Sequence, residues 1–402
     1  MASRTSSALD RVAIGLLGAG IVCVAGGLLP ADDAEATLRR ILPLLAFLGS
    51  VVILAELTAA AEVFDVVAAR LAIVARGSLP VLFACCFAVA ALTTITLNLD
   101  TTAVLLTPVM LALAVKLDVP PLPLAMTTVW LANTASLLLP VSNLTNLLAA
   151  ERVGLAPLDF ARRMWPAQLV VLTVTAALLW WMFWRPLRTG NGAGSGGGGG
   201  GYVPPAAHRP ADPVVCTTAA AACVGLLVGV VADVPLAWAS SAAMVCVVVV
   251  FWRRDRARLR ASLLPWRLLV FVSGLFLVVQ ALAAQGLDDG VARLVGVEDG
   301  LGGAARAAVV GGGLSNVVNN LPAYVAGEAA VPVPHRTQLL ALLVGTNAAP
   351  IVTPWASLAT LLWWERCRAH GVHIPLRRFV VGGGVLAVVS LVVAVPVLHL
   401  TG

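Results

Sequence analysis

The chain has 402 residues, 60% of them hydrophobic and only 11% charged. Soluble proteins carry about 25% charged residues, so this composition excludes an ordinary soluble fold. A formal charge of +6 would suit a nucleic-acid binder, but these arginines lie between apolar runs, where they orient a chain in the bilayer. No nucleic-acid partner is expected. The runs are roughly 20 residues long, enough to cross the hydrocarbon core as helix. They lack the period-two alternation of barrel strands, and lipid tolerates only helices and closed barrels as spanning elements. The fold class expected is an all-α polytopic membrane protein.

In chain order, the first apolar run is 12–29. Arg11 before it resembles a signal-peptide flank, but Pro30-Ala31-Asp32-Asp33 makes a poor cleavage site, so a retained first helix is expected. Run 41–58 follows, then an amphipathic stretch over 62–76. Segment 80–116 is apolar but interrupted by Thr93–Thr102, and 122–150 is interrupted by Pro140-Val141-Ser142-Asn143. Run 164–184 ends in Trp180, Trp181, Phe183 and Trp184, a composition expected of interfacial anchors. Residues 189–213, with a glycine run from Gly196 to Gly201, read as a flexible linker that buries nothing. That run lacks the Lys-Ser/Thr of a phosphate-binding loop. The second half has runs at 214–232, 236–252 and 264–284, a polar stretch around Asp288 and Asp289, interrupted segments at 303–330 and 337–364, and a last run at 379–399.

Basic residues give the orientation. With the N-terminus inside and both 80–116 and 303–330 returning to the side they enter from, inner segments hold 18 of the 26 basic residues and outer segments 8. The positive-inside rule favours this arrangement. It has about nine full spans, two re-entrant hairpins (80–116 and 303–330) and two unwound transmembrane helices (122–150 and 337–364). The first repeat is then 1–188, the glycine-rich cytoplasmic linker 189–213, and the second repeat 214–402.

The halves align. Asn133, Ala135, Pro140 and Leu144 fall on Asn347, Ala349, Pro354 and Leu358 without gaps, and Asp100-Thr101-Thr102-Ala103 falls on Asn320-Leu321-Pro322-Ala323. Because their hairpins enter from opposite sides, this is an inverted repeat. Paired interruptions in inverted repeats point to a transporter binding site, since non-helical backbone in lipid survives only where it lines a cavity or is buried in protein. The candidate substrate-binding residues are Asn98, Thr101, Thr102, Ser142, Asn143, Thr145 and Asn146 in the first half. In the second they are Ser315, Asn316, Asn319, Asn320, Thr353, Ser357 and Thr360. Asp100, an acid in an apolar hairpin, is costly unless it works, so it is the candidate proton or cation carrier. Glu56 and Glu328, near segment ends, read as structural. The bland alternative for the polar set is helix–helix glue by Ser, Thr and Asn. The seven cysteines form no CxxC and read as small buried hydrophobes. None of the five histidines lies at a break and no HExxH occurs, so neither an enzyme, a bound metal nor a cofactor is expected.

These residues resemble the ion-transporter superfamily of ArsB-type arsenite/antimonite permeases, NhaD-type sodium/proton antiporters and divalent-anion/sodium symporters. Asn98–Pro108, Pro140–Asn146, Ser315–Pro322 and Thr353–Leu362 look like the two hairpins and two unwound helices of the ArsB type. The symporters carry Ser-Asn-Thr in both halves, whereas here Ser142-Asn143-Leu144 and Ser315-Asn316-Val317 stand. The resemblance implies proton-coupled efflux of arsenite or antimonite across a bacterial cytoplasmic membrane, with the N-terminus cytoplasmic. It also implies a soluble ATPase partner in some relatives, and it leaves a homodimer open. The breaks hold no lysine or arginine, which suits a neutral trihydroxide better than a dianion, which would want a cation or a helix N-terminus. The alternative on the same scaffold is a sodium/proton antiporter or an organic or divalent-anion permease.

Overall fold

The computed structural model describes residues 3–188, 202–232, 234–296, 298 and 300–401, and every regular element among them is helical. Helices α1 (Ser3–Ala25), α2 (Ala31–Ala60) and α3 (Val63–Val74) lead into the first hairpin, with arms α4 (Leu79–Thr96) and α5 (Leu99–Lys116). The first broken helix is α6 (Pro121–Thr134) and α7 (Leu144–Val153), followed by α8 (Pro157–Leu187). The second half runs α9 (Pro213–Val231), α10 (Leu236–Arg254), α11 (Trp266–Ala284) and the short α12 (Leu287–Val295). Its hairpin arms are α13 (Gly300–Val318) and α14 (Asn320–Ala330). Its broken helix is α15 (Arg336–Ala348) and α16 (Leu358–Ala369), and α17 (Leu376–Leu400) closes the chain.

Among the described residues seven helices are long and apolar enough to cross a membrane, and shorter apolar helices lie at Ala13–Ala25 and Pro213–Gly229. The arms α4 and α5 are among the seven, at 18 residues each. At ~1.5 Å per residue each arm is about 27 Å long, and together the arms span the expected hairpin 80–116. Prolines open many of the helices, at positions where a missing N–H costs nothing.

The halves interlock. Arm α7 of the first repeat buries Leu148, Ala149 and Val153 in a core with Leu340, Leu343 and Val344 of α15. Arm α16 of the second repeat buries Ala359, Trp363 and Cys367 among Trp130, Leu124 and Met126 of α6. The Trp363 indole N–H donates to the Ala125 carbonyl at 2.9 Å. Helices α8 and α17 each run through both cores. Backbones approach closely where glycine permits: a Cβ on Gly345 would lie 2.1 Å from the Ala308 carbonyl oxygen, and one on Gly383 2.0 Å from that of Ile351. Such small-residue contact replaces the hydrophobic drive that lipid does not supply between helices.

Two expectations are corrected. Only part of the aromatic cluster faces outward: Trp181 is 64% exposed, but Trp184 is fully buried and its N–H donates to Thr127 Oγ1 at 2.9 Å. A π-helical turn over Trp180–Trp184 rotates the cluster, so that α8 presents Phe183 and Trp184 to the core. The linker also does not buy its freedom along its whole length. Residues 189–201 lie outside the described residues, but the Tyr202 hydroxyl donates to the Ala72 carbonyl at 2.7 Å and its N–H to Gly77 at 3.2 Å. His208 meets Glu62 at 2.7 Å, and Asp212 pairs with Arg254 at 3.1 Å. An aromatic ring, a His208–Glu62 hydrogen bond and one ion pair anchor this stretch.

Candidate functional site

Each break ends in a polar residue that caps the next helix. Asn98 accepts from the Thr101 N–H at 2.7 Å, Asn143 from Thr145 at 3.2 Å, Asn319 from Leu321 at 3.4 Å, and Ser357 from Thr360 at 3.1 Å. A capping side chain supplies an acceptor to amides that a helix start leaves unpaired. Asn319 has φ 96° and ψ 152°, a backbone conformation otherwise nearly confined to glycine, and it turns α13 sharply into α14. After the first tip, α5 runs through a π-helical turn at Thr102–Leu106, a local widening frequent at functional sites.

The broken helices are cross-linked by amides. Asn347 accepts from Asn143 Nδ2 at 3.0 Å and Thr145 Oγ1 at 2.8 Å, and donates to Asn146 Oδ1 at 2.7 Å. In the other direction Asn133 Nδ2 donates to Thr360 Oγ1 at 3.3 Å. Asn133 and Asn347, like Asn146 and Thr360, occupy matching positions of the two repeats, so the exchange is reciprocal. Each hairpin docks on the break of its own repeat. Ser142 Oγ donates to the Ile95 carbonyl at 2.9 Å. Asn316 Oδ1 accepts from the Val352 and Thr353 amides at 3.2 and 3.0 Å, Asn319 Nδ2 donates to Trp355 at 3.0 Å, and the Asn320 N–H donates to Ala356 at 2.8 Å.

Between the tips lies a small cavity of about 40 Å³. Asn98, Asp100, Asn143, Asn319 and Asn320 supply its polar wall, and Phe47, Leu48, Phe271 and Val272 close it. The first residues of α5, α7, α14 and α16 all line it, so four helix N-termini, each a partial positive charge, face one small space. Asp100 also lines a second cavity of about 730 Å³, walled mainly by α2, α5, α11 and α16, with Glu56, Arg267, Glu365 and Arg366 among its lining. Asp100 Oδ1 is buried and has no hydrogen-bond partner among the described residues.

A family model described as a citrate transporter, CitMHS, matches residues 3–360. The chain belongs to the CitMHS family. Relatives of this CitMHS chain include the arsenical pump membrane protein of Escherichia coli strain K12, 28% identical over 288 residues, and that of Yersinia enterocolitica, 28% identical over 284. Each match covers 66% of the chain but only 64% of the relative's length. Among solved structures, the YdaH transporter of Alcanivorax borkumensis, described as having an unusual topology, superposes with a TM-score of 0.56 over 93% of this chain and 89% of that one. It is 16% identical and so bears on fold alone. The CitMHS chain is a multi-pass membrane protein, as its apolar helices require.

Within the CitMHS chain the candidate residues separate by position. Asn98, Asp100, Asn143, Asn319 and Asn320 face the small cavity, and Thr101 faces the larger one. The rest hold the frame. Thr102 bonds Thr94 and the Asn98 carbonyl, Ser315 bonds the Gly311 carbonyl in its own helix, and Thr353 bonds Asn316. Ser142, Thr145, Asn146, Asn316 and Thr360 serve the docking and cross-links above, and Ser357 caps α16 through Thr360. Asn133, Asn347 and Gln168 escape a reading centred on the breaks. Gln168 of α8 spans the first break, accepting from the Leu137 N–H and donating to Thr134, both at 2.8 Å. The alignment of the halves already pairs Asn133 with Asn347 and is the signal that finds them. Nothing local in the sequence marks Gln168.

Proposed function

We propose that the chain is a secondary transporter of the cytoplasmic membrane that exports a small neutral hydroxide, arsenite or antimonite, in exchange for protons carried by Asp100. The observation that carries this reading is the small cavity: room for a few waters, lined by four asparagine side chains and one carboxylate and by no lysine or arginine. Arsenite near neutral pH is an uncharged trihydroxide. Its hydroxyls can donate to an ionised Asp100 and accept from amides. A protonated Asp100 offers one acceptor fewer and carries no charge. Solute and proton therefore compete for one carboxylate, and that competition is the coupling an antiporter needs. The relatives named as arsenical pump membrane proteins support the solute, at an identity that leaves it a proposal.

A second reading is favoured by one observation. Four helix N-termini around the cavity would stabilise an anion, and the family description is citrate transport. The cavity is small for a tricarboxylate, whose binding would have to draw on the larger space containing Arg267 and Arg366. Everted vesicles from cells lacking their own efflux pump decide between them. We expect arsenite accumulation driven by an inside-acid pH gradient, unaffected by millimolar citrate. Citrate-driven dissipation of the gradient with no arsenite flux would overturn the metalloid reading.

A further inference from the structure

The larger cavity raises a question that the coupling carboxylate alone does not answer, namely how a proton leaves it. Glu56 lies on α2, four residues from the helix end, and lines the same space as Asp100. That space is otherwise largely aliphatic. Its remaining charged groups are Glu365 and Arg366 on α16 and Arg267 on α11, with Arg267 and Arg366 exposed. The distribution of basic residues assigns these three to the cytoplasmic side. Glu56 is half-buried, makes no hydrogen bond and no ion pair within 4.0 Å among the described residues, and feels the Arg366 guanidinium through the shared cavity. A carboxylate on an apolar wall with only a distant guanidinium to offset it costs stability. At ~30 Å³ per water, 730 Å³ holds on the order of 20 waters, enough for a continuous chain between two carboxylates.

We infer that Glu56 receives the proton that Asp100 releases and hands it to the cytoplasm, so that the two carboxylates are the inner and outer stations of one path through the larger cavity. The proton leaves the Asp100 carboxyl for a cavity water, that water's proton passes to the Glu56 carboxylate, and Glu56 returns it to bulk water beside Arg267 and Arg366. No other bond changes and no electron moves. The inference rests on the proton-coupled reading above.

The test uses full-length protein in everted vesicles and separates coupling from folding. We expect Glu56→Gln to lower gradient-driven arsenite accumulation by about 100-fold while labelled-arsenite exchange at equal pH stays at the wild-type level, and Glu56→Asp to restore accumulation. Glu56→Gln vesicles that accumulate like wild type would overturn the inference. So would equal losses of exchange and accumulation in both variants, which mark a structural role. A second measurement is independent of metalloid. Dicyclohexylcarbodiimide, which attacks protonated carboxyls in apolar surroundings, should label Glu56 at a rate that falls as pH rises, read by peptide mass spectrometry. Absence of label at Glu56 would also overturn it. If wild-type vesicles move no arsenite yet Glu56 is labelled, the solute reading fails and the proton station stands.

Discussion

Asn347→Ala removes the residue that joins the two broken helices. Its side chain makes three contacts, at 2.7 to 3.0 Å, with Asn143, Thr145 and Asn146, all of them at most 3% exposed. In water-free surroundings an orphaned polar group could cost ~1–3 kcal/mol, but measured couplings between membrane helices average about 0.6 kcal/mol because the unfolded chain also finds partners. Three contacts at the lower figure give ~2 kcal/mol, with ~5 kcal/mol as the ceiling if all three reach the measured maximum. Titration of the purified protein with denaturing detergent should show that loss, and a double-mutant cycle with Asn146→Ala should show non-additivity of about 0.5 kcal/mol or more. Additive effects, or an Asn347→Ala loss below about 0.5 kcal/mol, would refute the view that this amide cluster holds the halves together.

Other outcomes follow from the same geometry. Asp100→Asn should insert normally yet abolish gradient-driven accumulation in everted vesicles, and undiminished flux would end its proton role. Gly345→Ala should lower the monodisperse yield on size exclusion, because a Cβ there meets the Ala308 carbonyl at 2.1 Å and neither helix backbone can yield cheaply. Tyr202→Phe deletes a 2.7 Å bond to Ala72, worth about 1 kcal/mol. It should raise the rate of limited proteolysis within 189–212 without changing flux. Arg40→Ala removes the guanidinium 3.5 Å from the buried Glu328 but leaves Arg152 near it; with Arg40 half-exposed it should lower thermal stability by ~1 kcal/mol, which Arg40→Lys should largely restore.

The apolar runs and their interruptions made the membrane fold and the four breaks legible, because lipid imposes the strictest rule on backbone that any solvent does. Caps such as Asn98 and Asn143 were visible as residue types. Their convergence was not: the halves exchange arms α7 and α16, and no local pattern tells one arm which core it enters. The same limit applies to helix N-termini. Counting lysine and arginine found no positive charge at the breaks, while the structure gathers four helix starts there, a charge that belongs to backbone direction. The width of the first break was overstated for a related reason: the polar run Thr93–Thr96 reads as an interruption, yet Thr94 returns its hydroxyl to the Ala90 carbonyl at 2.9 Å and the helix continues to Thr96.

The two hairpins are anchored unequally. Around the second tip, Asn316, Asn319 and Asn320 tie α13 and α14 to the break that follows α15 by several bonds, whereas the first tip is held to its own break through Ser142 and the Ile95 carbonyl. Mechanically, one half is stiff and the other compliant. The compliant half carries the carboxylate and the π-helical turn beside it. A push from a bound solute would be taken up mostly at Asn98 and Asp100, so the proposed proton carrier would be mounted on the softer spring.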